Sequence, residues 1–350
     1  MLNEKDYYRS SNVTVAVLNF NGIKTLADVF NSIYRLNSRL GEVIMVDDGS
    51  SDNSVNFVRQ HFPEVRIVEI GYNSKFLNMV RNIALKEAKF DFVLIIDNDV
   101  TLKSDCLDEL LSRMKNLPNA AVCMPRTLFE ENPEIIYQDG QTLHYIGATP
   151  SRYRNLPINK ADNKPRISIG WGVKLIDRQK SAIMGNFNEN YIMGWGDDGE
   201  FDHKMNLSGY LCYHIPSAVV YHKRVKGAHR YYGTIRNRWR FLLEFYQWKT
   251  LILCAPAFLV YELSLIFYLL AKGRIKEYFK GIYYIFTNIK SILNVRRYIQ
   301  EKRKFKDSEM LNSGYIYIDQ GYVNLGIIQL GYNVLNYFLM GYWFIIRKFI

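Results

Sequence analysis

Four short apolar runs, at 13–18, 43–46, 65–70 and 92–96, divide the first hundred residues, with spacers between them long enough to hold crossover helices. That alternation constrains the chain to an α/β fold, a mostly parallel sheet with helices on both faces. Each run leads into polar residues: Asn19 and Asn21 after the first, Asp47 and Asp48 after the second, Asn73 after the third, Asp97 and Asp99 after the fourth. Open parallel sheets bind ligands outside the carboxyl ends of their strands, so these side chains are expected to converge on one edge. A second zone, about 120–222, has shorter strand-like pieces at 121–124 and 218–221 around the polar run MGNFNENYIMGWGDDGEFDHKMNLSGY.

Asp97 and Asp99 would share a face if their strand continued, and two like charges that close repel unless a cation lies beside them. Mg²⁺ or Mn²⁺ answers that need, because both prefer carboxylate oxygens and leave room for substrate phosphates. The same residues suit a solvated turn before a helix capped by Ser104 or Asp105. In the segment VDDGSSDNS, turn chemistry accounts for Gly49, Ser50 and Asp52. It leaves Asp47 and Asp48, where a carboxylate can accept from a base N–H or a ribose hydroxyl. Arg81 and Asn82 fall on a helix beside the same edge, and Arg81 either reaches base or phosphate or stays solvated. Asp197 and Asp198 stand at the start of an expected helix, 198–207, where acids also complement the helix dipole. Trp195 suits stacking on a sugar, or a place in a core or lid.

In order, the segments VAVLNFNG, VDDGSSD, NSKFLNMVRN, IIDND, GNFNENYIMGWGDDGEF and IPSAVVYH resemble the family 2 glycosyltransferases of the GT-A fold, membrane-associated rhamnosyltransferases among them, over about residues 12–225. The resemblance implies a Rossmann-like GT-A domain at 1–225. It implies that Asp47, with Asp48 beside it, and Asp97 bind nucleoside, and that Asp99 and His222 hold Mg²⁺ or Mn²⁺. Asp198 then takes the place of the catalytic base, with Asp197 where the family has Glu. Asn19, Asn21, Asn73, Lys75 and Arg81 complete the donor side, and Trp195 and Asp197 form the acceptor side. Two departures stand out. The usual Asn-x-Gly is Asn73-Ser74-Lys75, which reshapes the phosphate-side loop and adds a charge, and Asp197 is one methylene shorter than Glu. The implied activity is inverting, metal-dependent transfer from a nucleotide-sugar donor to a hydroxyl of a glycan acceptor, expected to be lipid-linked, in cell-surface polysaccharide or glycoconjugate synthesis. Two rivals remain: a polyprenyl-phosphate sugar synthase, which needs no acceptor-sugar base, and a non-catalytic membrane scaffold that keeps the nucleotide-sugar-binding fold.

The net charge of +11 is concentrated at 223–306, which holds 19 Lys and Arg against four Glu. A basic stripe suits nucleic acid or anionic lipid; no nucleic-acid module accompanies this one and long apolar segments adjoin it, so a membrane surface and no nucleic acid is expected. The segment 250–271 is long enough to span a bilayer but contains Pro256 and Glu262, and 321–346 has no charge at all. Basic clusters flank 250–271 on both sides, so a crossing would leave one of them outside, against the positive-inside tendency. At 278–293, Phe279, Ile282, Tyr283, Phe286, Ile289 and Leu293 share one helical face, and Gln329, Asn333 and Asn336 give the last segment a polar side. The expectation is a helical region, 226–350, attached monotopically to the cytoplasmic face of the membrane, with true spans or a soluble helical subdomain as alternatives. Four scattered cysteines suggest neither zinc nor disulfides, and the polar start MLNEKDYYRSSN lacks a signal-peptide core, so the first domain is expected in the cytoplasm.

Overall fold

The structure, a computed structural model, describes residues 13–223, 230–316 and 326–350. The polar start, the basic residues Arg224 and Lys226, the expected boundary at 225 and the first five residues of 321–346 lie outside the described residues.

The front of the chain runs β1 (Val13–Asn19), α1 (Leu26–Tyr34), β2 (Glu42–Asp47), α2 (Ser54–His61), β3 (Arg66–Glu69), α3 (Leu77–Glu87) and β4 (Phe92–Asp97). The strands lie side by side as β3-β2-β1-β4, all parallel, as the alternation of apolar runs requires. Every residue of β1 is buried, and its period of two feeds two cores. Val13, Val15 and Val17 pack with Leu26, Phe30 and Ile33 of α1, whereas Ala16 and Leu18 pack with Val80 and Ala84 of α3. The register sets Asn19 beside Asp47 and Leu18 beside Asp97, which brings three strand ends together.

The second zone adds β5 (Val100–Leu102), α4 (Cys106–Asn116), β6 (Ala120–Phe129), β7 (Ile136–Gln138), β8 (Leu143–His144), β9 (Arg166–Ile167), β10 (Lys174–Asp177), α5 (Arg178–Ile183), α6 (Gly199–Leu207) and β11 (Leu211–His222). The sheet continues β4-β10-β6-β11-β5, with β10 antiparallel to both neighbours, so this half is mixed. β4 and β5 are separate strands joined by a turn at Asn98 and Asp99. Strand alternation therefore does not set the directions of Asp97 and Asp99; the turn does. All four cysteines are buried and free.

The back of the chain is helical: α7 (Tyr231–Phe245), α8 (Trp248–Ala271), α9 (Ile275–Thr287), α10 (Ile289–Lys302), α11 (Asp307–Met310) and α12 (Gly326–Ile346), with the short strand β12 (Leu311–Asn312) paired to β8. It shares a core with the sheet domain, in which Tyr145, Tyr191 and Leu207 meet Phe241, Phe245 and Trp343. The expected continuous helix over 278–293 is broken at Asn288, whose amide turns back onto the Tyr284 carbonyl at 3.0 Å. Phe279, Tyr283 and Phe286 are nonetheless all exposed. The polar side of α12 faces protein: Asn336 is buried and accepts from the Ile316 backbone N–H at 2.8 Å.

Candidate active site

The acids gather where β4, β11 and the start of α6 meet. β11 pairs with β5 so that His222 lies opposite Val100, one residue past Asp99, and the His222 Nε2 stands 3.6 Å from the Asp99 Oδ2. The imidazole stacks flat on Tyr137 with centroids 4.9 Å apart, which fixes its plane. Burial pushes the Asp97 carboxyl above its usual range; Arg81 and His222 oppose that shift, while Asp99 and Asp198 add to it. Four expected site residues therefore act on Asp97. Among the described residues, no three His, Cys, Asp or Glu side chains gather as a complete cage for a metal. Asp99 and His222 fit an ion that takes its remaining ligands from phosphates and water, the usual habit of Mg²⁺.

The acid pair sits on a loop clamped from three sides. From α3, the Asn78 amide donates to the Asn188 carbonyl at 3.0 Å, Asn82 donates to the Phe187 carbonyl at 3.0 Å, and Arg81 donates to the Asp197 carbonyl at 3.2 Å. From α6, Glu200 accepts the Asn188 N–H at 2.5 Å and Phe201 stacks on Phe187. From α7, the buried Asn237 amide donates to the Ile192 and Trp195 carbonyls at 2.6 and 3.1 Å. Asp198, the expected first residue of the helix, is instead the N-cap residue of α6, which starts one position later, and its side chain makes no capping bond. Its carboxylate is not consumed locally. Burial and the neighbouring Asp198 raise the Asp197 carboxyl to about 7, against the pull of Arg81.

The remaining expected residues divide by position. Asn19 and Asp47 are buried, and Asp47 accepts from the Asn19 amide at 2.7 Å and from the Ser50 N–H and hydroxyl at 2.9 and 2.6 Å. Asn21, at φ 52°, accepts from the Ser51 and Asp52 N–H groups at 2.8 and 3.2 Å. Asp48 accepts from the Ser74 N–H at 2.8 Å, and Asn73 accepts from Lys75, an exposed residue at φ 61°. Asn19, Asn21, Asp47 and Asp48 hold the loops after β1, β2 and β3 to one another, while Asn73 and Lys75 close a turn within the third. Gly49 is required there: at φ 70°, a Cβ would lie 2.3 Å from the Tyr72 carbonyl carbon. Arg81 is buried, bonded to Asn78, and placed among the acids. The Trp195 indole N–H donates to Thr149 at 3.2 Å while its ring meets Phe241 edge-on, so much of its surface is committed to packing.

Sequence reasoning missed the segment Gly170-Trp171-Gly172. A Cβ on Gly172 would come within 2.4 Å of the Asp97 Oδ2, and one on Gly170 within 3.5 Å of the Asp198 Oδ1. The tripeptide GWG recurs at 194–196, just before the acid pair, a repetition that could have flagged it. Lys174, fully buried, pairs with Asp202 at 2.5 Å, and Asp202 also accepts the Gly170 N–H at 2.7 Å. Nothing local in the sequence announces that pair, whose members are 28 residues apart.

Residues 14–172 match the family model described as glycosyl transferase family 2. Chondroitin synthase of Escherichia coli is 25% identical over 214 residues, 53% of this chain and 31% of that protein. The N-acetylglucosaminyl-diphospho-decaprenol L-rhamnosyltransferase of Mycobacterium tuberculosis is 23% identical over 214 residues, 54% of this chain and 68% of that protein. The chain thus spans about a third of the first relative's length and about two thirds of the second's. The crystal structure of GalNAc-T7 with UDP, GalNAc and Mn²⁺ superposes with a TM-score of 0.55 at 17% identity, covering 66% of this chain and 48% of that one. At that identity the likeness establishes a shared fold, of the GT-A kind.

Proposed function

Since residues 14–172 are a family 2 glycosyltransferase domain, we propose that this chain is an inverting glycosyltransferase that moves a sugar from a nucleotide-sugar donor to a hydroxyl of a lipid-linked glycan acceptor. The observation that carries this reading is the meeting of Asp97, Asp99, Asp198 and His222 at one sheet edge. Asp97 faces the nucleoside, with Asp47 and Asp48 holding the loops around it. Asp99 and His222 would hold Mg²⁺ or Mn²⁺, which would supply charge stabilisation for the leaving diphosphate. Asp198, whose carboxylate makes no capping bond, removes the proton of the attacking hydroxyl. Direct displacement inverts the anomeric centre. Asp197, whose carboxyl burial and Asp198 raise to about 7, lies on the acceptor side.

A membrane-face location is supported by the helices. α8 has 24 residues, about 36 Å of helix, long and apolar enough to cross a bilayer. Its inner face is fastened to protein, however: Glu262 is ion-paired to the buried Arg238, which also donates to the Ile146 carbonyl at 2.8 Å. A helix tied near its middle by this buried ion pair lies against the cytoplasmic leaflet more readily than it threads through.

The test is mass spectrometry of products from a panel of nucleotide sugars with membrane lipid extract as acceptor. Asp198→Asn is expected to keep nucleotide binding and lose about 10²–10⁴-fold in rate, the usual worth of a general base. Continued transfer to polyprenyl phosphate by that variant would instead identify a sugar–lipid synthase. A wild-type chain that binds no nucleotide sugar would be a scaffold.

A further inference from the structure

Beside the acid-pair loop lies a cavity of about 650 Å³ that the donor and acceptor assignments above leave unused. Its walls come from three places: Ile192 and Met193 on the clamped loop, the start of α7 at Arg230, and the junction of α8 and α9 at Lys272 and Arg274. Its volume lies within the range of small-molecule sites. Three cations line it against a single carboxylate, Glu277, and none of the three is ion-paired among the described residues. All three are exposed, so an anion entering the concave surface would meet a net positive field.

The cavity is rigidly joined to the chemistry. The backbones of Gly194 and Gly233 pack so closely that a Cβ on Gly233 would meet the Met193 carbonyl oxygen at 2.5 Å. The charge of Arg230 also reaches Asp197. The helix ends that wall the cavity carry exposed apolar side chains within two turns of the cations: Phe267 and Leu270 on α8, Phe279 on α9.

We propose that this cavity holds the diphosphate head group of a polyprenyl-linked acceptor, with Arg230, Lys272 and Arg274 on its oxygens and the prenyl chain running out along α8 and α9. Three cations and one carboxylate leave two net positive charges, which suit a diphosphate diester. The placement explains how a lipid-bound sugar is presented to Asp198: the head group is fixed one loop away from the base. The proposal rests on the reading of the acceptor as lipid-linked.

The experiment titrates detergent-solubilised full chain with farnesyl diphosphate, inorganic pyrophosphate and farnesol. EDTA is present throughout, to remove the metal through which the donor site would itself bind a diphosphate. Wild type is expected to bind farnesyl diphosphate at least about tenfold more tightly than either fragment, and K272Q/R274Q to lose about tenfold of that affinity with farnesol binding unchanged. Thermal melting confirms that the variant, altered at two exposed residues, is folded. Equal binding of farnesyl diphosphate by both proteins overturns the proposal, and pyrophosphate binding as tight as farnesyl diphosphate overturns the lipid assignment. Nucleotide binding with Mn²⁺ restored is measured on the same preparations. Its absence in wild type would remove the transferase reading while leaving the head-group result readable.

Discussion

The acid pair shows how its surroundings set a residue's work. Asp197 has its carboxyl raised to about 7 because burial and Asp198 both disfavour its charge. The folded chain therefore keeps a proton that the unfolded chain, with an Asp near 3.9, gives up. Its contribution to stability is full below about pH 4 and is lost as pH rises through 7. Asp197→Asn removes that dependence, so in EDTA its melting temperature is expected to gain on wild type more at pH 8 than at pH 5. An equal difference at the two pH values would show that Asp197 titrates normally. Gly172 offers a second residue-scale check, because a methyl there meets only the end of the Asp97 side chain, at 2.4 Å. Gly172→Ala should melt within about 1 kcal/mol of wild type, since the side chain can swing aside, yet weaken nucleotide binding measurably by calorimetry.

The loop bearing the acids has little regular structure, so its order comes from the helices that grip it. Asn237 is fully buried and spends its amide on two carbonyls of that loop. Asn237→Ala strands both acceptors and should cost about 1–3 kcal/mol in denaturant unfolding. It should also lower kcat while the nucleotide Kd holds, because α7 touches the base-side loop and not the strand ends. The parallel strands of the front half and their polar ends were legible in the sequence, since a buried strand writes itself as an apolar run. Asp97, Asp99, Asp198 and His222 were legible only through their order. What could not be read was anything joined across distance: the antiparallel insertion of β10, the Lys174–Asp202 pair beneath the site, and the use of Asn78, Asn82 and Asn237 as clamps. Local pattern also misjudged α9 and α10, because the apolar face continues through Asn288 while the backbone turns there. The acids at 97 and 99 were paired for a reason that does not operate, strand alternation, and meet through a turn that the sequence does not spell out.

At the scale of the whole molecule, the sheet domain and the helices share a core, and α8, α9 and α12 carry exposed apolar side chains. Ile252 and Phe267 are 71% and 69% exposed, Phe286 is 74% exposed, and Tyr337 is 69% exposed. Transferring one such side chain out of water contributes about 1.5–3 kcal/mol, so several together outweigh the loss of free diffusion on docking to a bilayer. Lys249 precedes the long apolar run of α8 and Lys276 follows it, both exposed, as expected of anchors at anionic headgroups. If α8 lies along the leaflet, both of its ends stay on one side; if it crosses, they part. Lys249→Cys and Lys276→Cys, made separately, place a reactive thiol at each end, and the native cysteines are all buried and silent. In sealed membrane vesicles of known orientation, an impermeant maleimide is expected to label both variants from the cytoplasmic side alone. Labelling of the two from opposite sides would establish a span, and would force the buried Glu262–Arg238 pair, and the domain bonded to it, down to the level of the bilayer.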